Sequence, residues 1–147
     1  MKSSPESQLV KTIPVIIGYC RAYFMEPRRA LSIQRGRLEA IGAQECFEEQ
    51  VGFFGSADQL EKAIHHANRG DVLVATRPYR VALTQKSVVN LIRRLGQKGA
   101  GLRILDSPLD TSTTTGRMLI GSAPLWSLGI TPWRSLMHDL SVGQFLA

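Results

Sequence analysis

The feature that most constrains this chain is an alternation. Short strand-like runs recur four times, and segments with helical spacing lie between them. The runs are Ile13-Pro-Val-Ile-Ile-Gly-Tyr, Gln44 to Val51, Asp71-Val-Leu-Val-Ala-Thr and Leu102-Arg-Ile-Leu. Three of them have the length and branching of a buried strand, and Gln44 to Val51 reads as a weaker one. Between them, Ile33, Arg37, Leu38 and Ile41 recur at helical spacing, as do Leu60, Ala63, Ile64 and Ala67. Val88, Val89, Leu91, Ile92 and Leu95 make a third such face. Parallel neighbours in a sheet need crossover connections, and helices supply them. The pattern predicts an α/β fold in three layers, with a mostly parallel sheet of four to five strands flanked by helices.

Local punctuation sets the expected boundaries. Residues 1–11 are polar and read as a disordered N-terminus. Residues 23–31, with Pro27, read as a loop or helix entry. Ser32 is the expected N-cap of the first helix, and Gly42 its stop. Ser56 with Gln59 has the spacing of a capping box. Residues 85–98 are the expected third helix, closed by Gly99. The folded domain is then about 12–118. Beyond it, Pro124, Gly129 and Pro132 interrupt an apolar stretch. A Pro inside a helix costs about 3 kcal/mol and a Gly about 1 relative to Ala, so residues 119–147 read as an interrupted, divergent helix or tail without clean period.

A chain of 147 residues fits one domain. Its net charge of +6 and pI near 9.8 favour polyanionic partners such as nucleic acid. The basic sets Arg28, Arg29, Arg35, Arg37 and Arg93, Arg94, Lys98, Arg103 would either track a DNA backbone or form solvated helix faces. The N-terminus MKSSPESQLVK lacks the apolar core of a secretion signal, and no apolar run reaches the ~18 residues of a membrane span. The expected location is the cytoplasm, where Cys20 and Cys46 stay reduced. His65 and His66 are adjacent on a helix and point apart, and His138 is distant, so neither a metal site nor a cofactor is expected.

Four stretches, in order and in register, resemble the N-terminal catalytic domain of the serine recombinases, the resolvase/invertase family. "IIGYCRA" resembles the family's G-Y-A-R-V-S motif, and "QRGRLEAIGA" its first helix. "NRGDVLVATRPYRVALT" resembles G-D-x-L-V-V-x-x-L-D-R-L-G-R-S, and "GAGLRILDSPLDTSTTTGRML" ends like D-T-x-T-x-x-G-R. The resemblance implies a resolvase-like fold. It also implies an activity, in which a Ser hydroxyl attacks a DNA phosphodiester while several Arg side chains hold the phosphate. Arg suits that task through its permanent charge and fork of donors.

Position by position, the implied machinery is incomplete. The Arg of the first motif is present as Arg21. The nucleophilic Ser falls at Tyr23. The Arg expected before the second helix falls at Ala57. The Asp of the second motif falls at Tyr79, its first Arg is present as Arg80, and its second falls at Leu83. The Arg of the last motif is Arg117. A Tyr oxygen sits roughly 4 Å beyond a Ser oxygen, too far for a site tuned to fractions of an ångström. Losing one transition-state donor costs about 10²–10³ in rate. The lost positions point to a catalytically inactive domain. Arg21, Arg80 and Arg117 either form a residual phosphate pocket or survive through structural pairing.

Three functions stay open. One is a degenerate recombinase domain with weak or non-specific DNA affinity. Another is an interaction module, a homodimer or a heterodimer with a full-length recombinase, since such enzymes work as oligomers. The third is an active recombinase using Tyr23. With the chain ending at Ala147, no helix-turn-helix module is expected.

Overall fold

The computed structural model describes residues 14–53, 55–122 and 131–142. The expected disordered N-terminus (1–11) lies outside the described residues, as do Trp126, Pro124 and Gly129. Strand β1 spans Ile16–Tyr23, helix α1 Arg29–Ala40, β2 Glu45–Val51, α2 Asp58–His66, β3 Val72–Ala75, α3 Gln85–Gln97 and β4 Gly101–Ile104. A single 3₁₀ turn, Pro78–Arg80, lies between β3 and α3. Helices α4, Thr114–Ser122, and α5, Pro132–Val142, follow.

The four strands form one sheet in the order β2-β1-β3-β4, and every pairing is parallel. Alternate residues of β1 serve opposite faces, as pleating requires. Ile17 and Tyr19 pack with Leu60, Ile64, Val88 and Leu95 of α2 and α3. Cys20 and Ala22 pack with Ala30, Leu31 and Leu38 of α1. The three-layer expectation therefore holds, with a fully parallel sheet. Gly18 lets α1 approach β1, because a Cβ there would lie 2.7 Å from Cys46 Sγ and 3.2 Å from Leu38 Cδ1. Cys20 is buried and its thiol is pushed up to about 12 by burial. No described helix is long and apolar enough to cross a membrane. No group of three metal-ligating side chains occurs among the described residues.

Several local expectations are corrected. Strand β1 runs on to Tyr23, through the Arg21 position, because β2 pairs with it along its whole upper half. Ser32 lies inside α1, which starts at Arg29 without a side-chain cap. The capping box at Ser56 does not form, and Ala57 occupies the N-cap of α2. The cap comes from β2 instead. Glu49 accepts the amides of Gln59 (3.1 Å) and Leu60 (3.0 Å), placing a carboxylate at the positive end of α2. Within the span read as an interrupted helix or tail, residues 132–142 form helix α5. Pro132 stands in the first turn of α5, where its missing N–H costs nothing.

Candidate functional site

The winding of the sheet fixes where a site belongs. From β1 the chain crosses to β2 over α1. It then returns past β1 to β3 and β4 over helices on the other face. The direction reverses between β1 and β3, and open α/β sheets place their crevice at the carboxyl ends of such strands. Those ends carry Arg21, Tyr23 and the turn Pro78–Arg80.

Tyr23 has no exposed surface. Its hydroxyl donates to the Tyr79 carbonyl and accepts Arg21 Nη1 at 3.5 Å. Burial raises the pKa of this phenol, although Arg21 works against the shift. Arg80 is also wholly buried. Its Nη1 donates to Glu26 Oε1 at 2.6 Å and to the Arg21 carbonyl at 2.9 Å, and Nη2 donates to Glu26 Oε2 at 3.0 Å. Glu26 Oε1 accepts the Tyr23 amide as well. One internal carboxylate therefore ties Arg80 to the end of β1. Tyr79 donates to Asp139 of α5 at 2.8 Å, and Arg77 reaches the same carboxylate at 2.7 Å. Leu136 of α5 is buried against Tyr23, Val51 and Tyr79, so α5 lies directly over this end of the sheet.

Arg21 is 6% exposed and differs from its neighbours. Its Nε donates to Tyr19 Oη at 2.7 Å, and Tyr19 passes its own proton toward Glu49 at 2.6 Å. The guanidinium carbon stands 5.3 Å from the Tyr19 ring centre and 5.9 Å from that of Tyr23. Among the described residues it has no carboxylate partner. It lines a cleft of about 510 Å³ together with Phe53, Ala57, Leu83, Ser87 and Trp133. Phe53 packs edge-on to Trp133 at 5.3 Å and against Tyr23 at 5.5 Å.

Residues 16–124 match the family model described as the resolvase N-terminal domain. The chain belongs to the resolvase family. It is 34% identical over 104 residues to the DNA-invertase of Escherichia phage P1, covering 70% of this chain and 55% of that protein. It is 31% identical over 111 residues to a DNA-invertase of Salmonella abortus-equi, covering 74% and 57%. To the Tn552 transposon resolvase of Staphylococcus aureus it is 30% identical over 106 residues, covering 70% and 53%. The chain thus spans about half the length of these relatives. The crystal structure of the N-terminal catalytic domain of TP901-1 integrase has the same fold, with a TM-score of 0.58 and 16% identity over 85% of this chain and 97% of that one.

Measured against the resolvase motifs, the structure brings most of the expected positions together. Arg21, Ala57 and Leu83 line one cleft, while Tyr23 and Tyr79 are buried in the cluster that Phe53 and Leu83 pack against, and Arg80 is buried beside them on Glu26. Arg117 does not join them. After β4 the chain doubles back, with Thr111 N donating to the Leu102 carbonyl, and carries residue 117 to the opposite end of the sheet. There Arg117 lines a second cleft with Gly70 and Gly101, and donates to the Thr111 carbonyl at 3.0 Å. The Gly of this last motif has a packing reason, since a Cβ on Gly116 would overlap the Asp110 carbonyl. Much of the basic surface is paired internally. Arg35 meets Glu48, Arg37 meets Asp106, Arg94 meets Glu61, and Lys98 donates to the Ile64 and His65 carbonyls. The partners Glu26, Glu49, Asp106 and Asp139 carry no motif, and sequence reasoning missed them.

Proposed function

We propose that this domain keeps the serine recombinase scaffold without strand cleavage, and that it acts by associating with the catalytic domain of an intact recombinase. The observation that carries this reading is Tyr23. At the position where the resemblance puts a nucleophilic Ser stands a phenol with no exposed surface, already donating to the Tyr79 carbonyl. Burial keeps it protonated at neutral pH. The electrostatics support the same reading. Phosphoryl displacement needs donors free to meet the charge that develops on the phosphate. Here Glu26 holds Arg80 and Asp139 holds Arg77.

The association half of the proposal draws on the family, whose members act on DNA as oligomers. Met118 on α4 is 68% exposed, as an apolar contact residue would be before it meets a partner. Duplex DNA binding by this domain alone is weak and non-specific, because Arg35, Arg37 and Arg94 are engaged in ion pairs.

Co-expression with the DNA-invertase of phage P1 tests the proposal. A stoichiometric mixed species by light scattering, and inversion that slows as this chain is added, are expected. Both effects persist in Tyr23→Phe and weaken in Met118→Glu. Separate migration of the two proteins, with inversion unaffected, overturns the association. A covalent DNA adduct that disappears in Tyr23→Phe overturns the inactivity.

A further inference from the structure

We propose that the cleft at the carboxyl ends of β1 and β3 binds a small organic monoanion, a carboxylate on an apolar or aromatic body. The argument begins with Arg21. A buried charge is costly unless it is paired. Glu26 compensates Arg80 and Asp139 compensates Arg77, yet the buried Arg21 faces only two phenols. The nearest carboxylate on its path, Glu49, is reached through Tyr19, and it is already bound to the first turn of α2. Nη2 of Arg21 has no acceptor among the described residues. The cleft therefore offers one cation with spare donors, in surroundings dry enough to strengthen a single charge-assisted bond.

The remaining walls select the body of the ligand. Phe53, Leu83 and Trp133 are apolar, and Ala57 adds no polar atom. Thr84 and Ser87 supply the rim hydroxyls, and they already bond to each other. A volume near 510 Å³ lies in the range of small-molecule sites. One charge and a mostly apolar wall fit a monocarboxylate better than a phosphate diester flanked by sugars. The inference rests on the absence of strand cleavage at this site, because a cleaving enzyme would need the cleft for DNA.

Phenylacetate, titrated into the full chain and followed by NMR at the Arg21 Nε–H and the Trp133 indole N–H, is the test. The result expected is a saturable shift of both signals, with a dissociation constant at or below the millimolar range. Benzyl alcohol and inorganic phosphate each bind about tenfold more weakly or worse, the worth of one charge-assisted hydrogen bond. Arg21→Gln loses the same factor. Should that variant fail to fold, Leu83→Glu provides the second readout. It places a carboxylate at the half-buried rim beside Arg21, and it abolishes phenylacetate binding while the thermal transition is retained. No saturable shift, phosphate binding as tight as phenylacetate, or unchanged affinity in Leu83→Glu overturns the proposal. A Tyr23-dependent DNA adduct would instead overturn the absence of cleavage, so the two failures are distinct.

Discussion

Glu26 and Arg80 form a bidentate ion pair with no exposed surface, at 2.6 and 3.0 Å, across 54 positions of sequence. The pair engages both terminal nitrogens of Arg80. A buried pair of this kind adds little net stability, but breaking one side of it is costly. Glu26→Gln leaves the Arg80 charge uncompensated and is expected to destabilise the fold by about 3–5 kcal/mol in urea unfolding. Adding Arg80→Met to that variant recovers most of the loss. Equal stability of Glu26→Gln and the parent chain would contradict the assignment.

Helix α5 is held through Asp139, which accepts from both Arg77 and Tyr79. Asp139→Asn removes the charge from both bonds. Hydrogen bonds to charged groups are worth roughly 1.5–3 kcal/mol, so the expected effect is local loosening of α5. Amides of Leu136 to Leu140 exchange at least about tenfold faster, while those of β1 and β3 keep their protection. Uniform acceleration across the domain would show that α5 is not a separable unit.

The chain has three tyrosines, Tyr19, Tyr23 and Tyr79, and all are buried. Burial raises the pKa of each, most strongly for Tyr19 and Tyr79. A phenol whose folded pKa is raised supports the fold fully below its unfolded pKa, near ~10, and loses that support as pH climbs further. Absorbance at the tyrosinate band is expected to stay flat in the folded protein past pH ~10 and to rise together with unfolding. A smooth titration at an ordinary phenol pKa, with the fold intact, would contradict the buried network.

On the acid side the sign reverses. The hydrogen bond from Arg37 holds the Asp106 carboxyl below its ordinary value, and the bond from Arg94 does the same for Glu61. Their stabilisation is present above the unfolded carboxylate pKa and fades as pH falls through the lowered folded value. Both pairs face solvent, so the effect is small and screened by salt. Asp106→Asn is expected to flatten the stability profile below pH ~4 at low ionic strength and to change little at neutral pH. A variant profile parallel to the parent's at all pH values would remove Asp106 from the account.

The layers of this fold are legible in the sequence because each is written locally. Val72 to Ala75 is a run of four apolar residues, and Leu60, Ile64 and Leu91, Leu95 mark their helices at a helical spacing. The β1 boundary was harder. Arg21 breaks the apolar run, and only pairing with β2, set by residues 28 positions onward, keeps the strand going to Tyr23. The same limit explains the caps and charges. Glu49 replaces Ser56 at the start of α2, and Asp139 reaches Tyr79 from 60 positions away. No local pattern encodes such contacts. The resolvase motifs locate Arg21, Tyr23 and Arg80, but they do not reveal that Glu26 already occupies Arg80 or that Arg117 sits at the far end of the sheet.

The most direct test of the central claim is a search for covalent chemistry. The purified chain is incubated with a randomised duplex library, denatured, and assayed for protein that remains attached to labelled DNA. The account predicts no covalent adduct above background, in the parent chain and in Tyr23→Phe alike. An adduct formed by the parent and absent from Tyr23→Phe would mean that the buried phenol reaches DNA, and the claim of a recombinase fold without cleavage would fail.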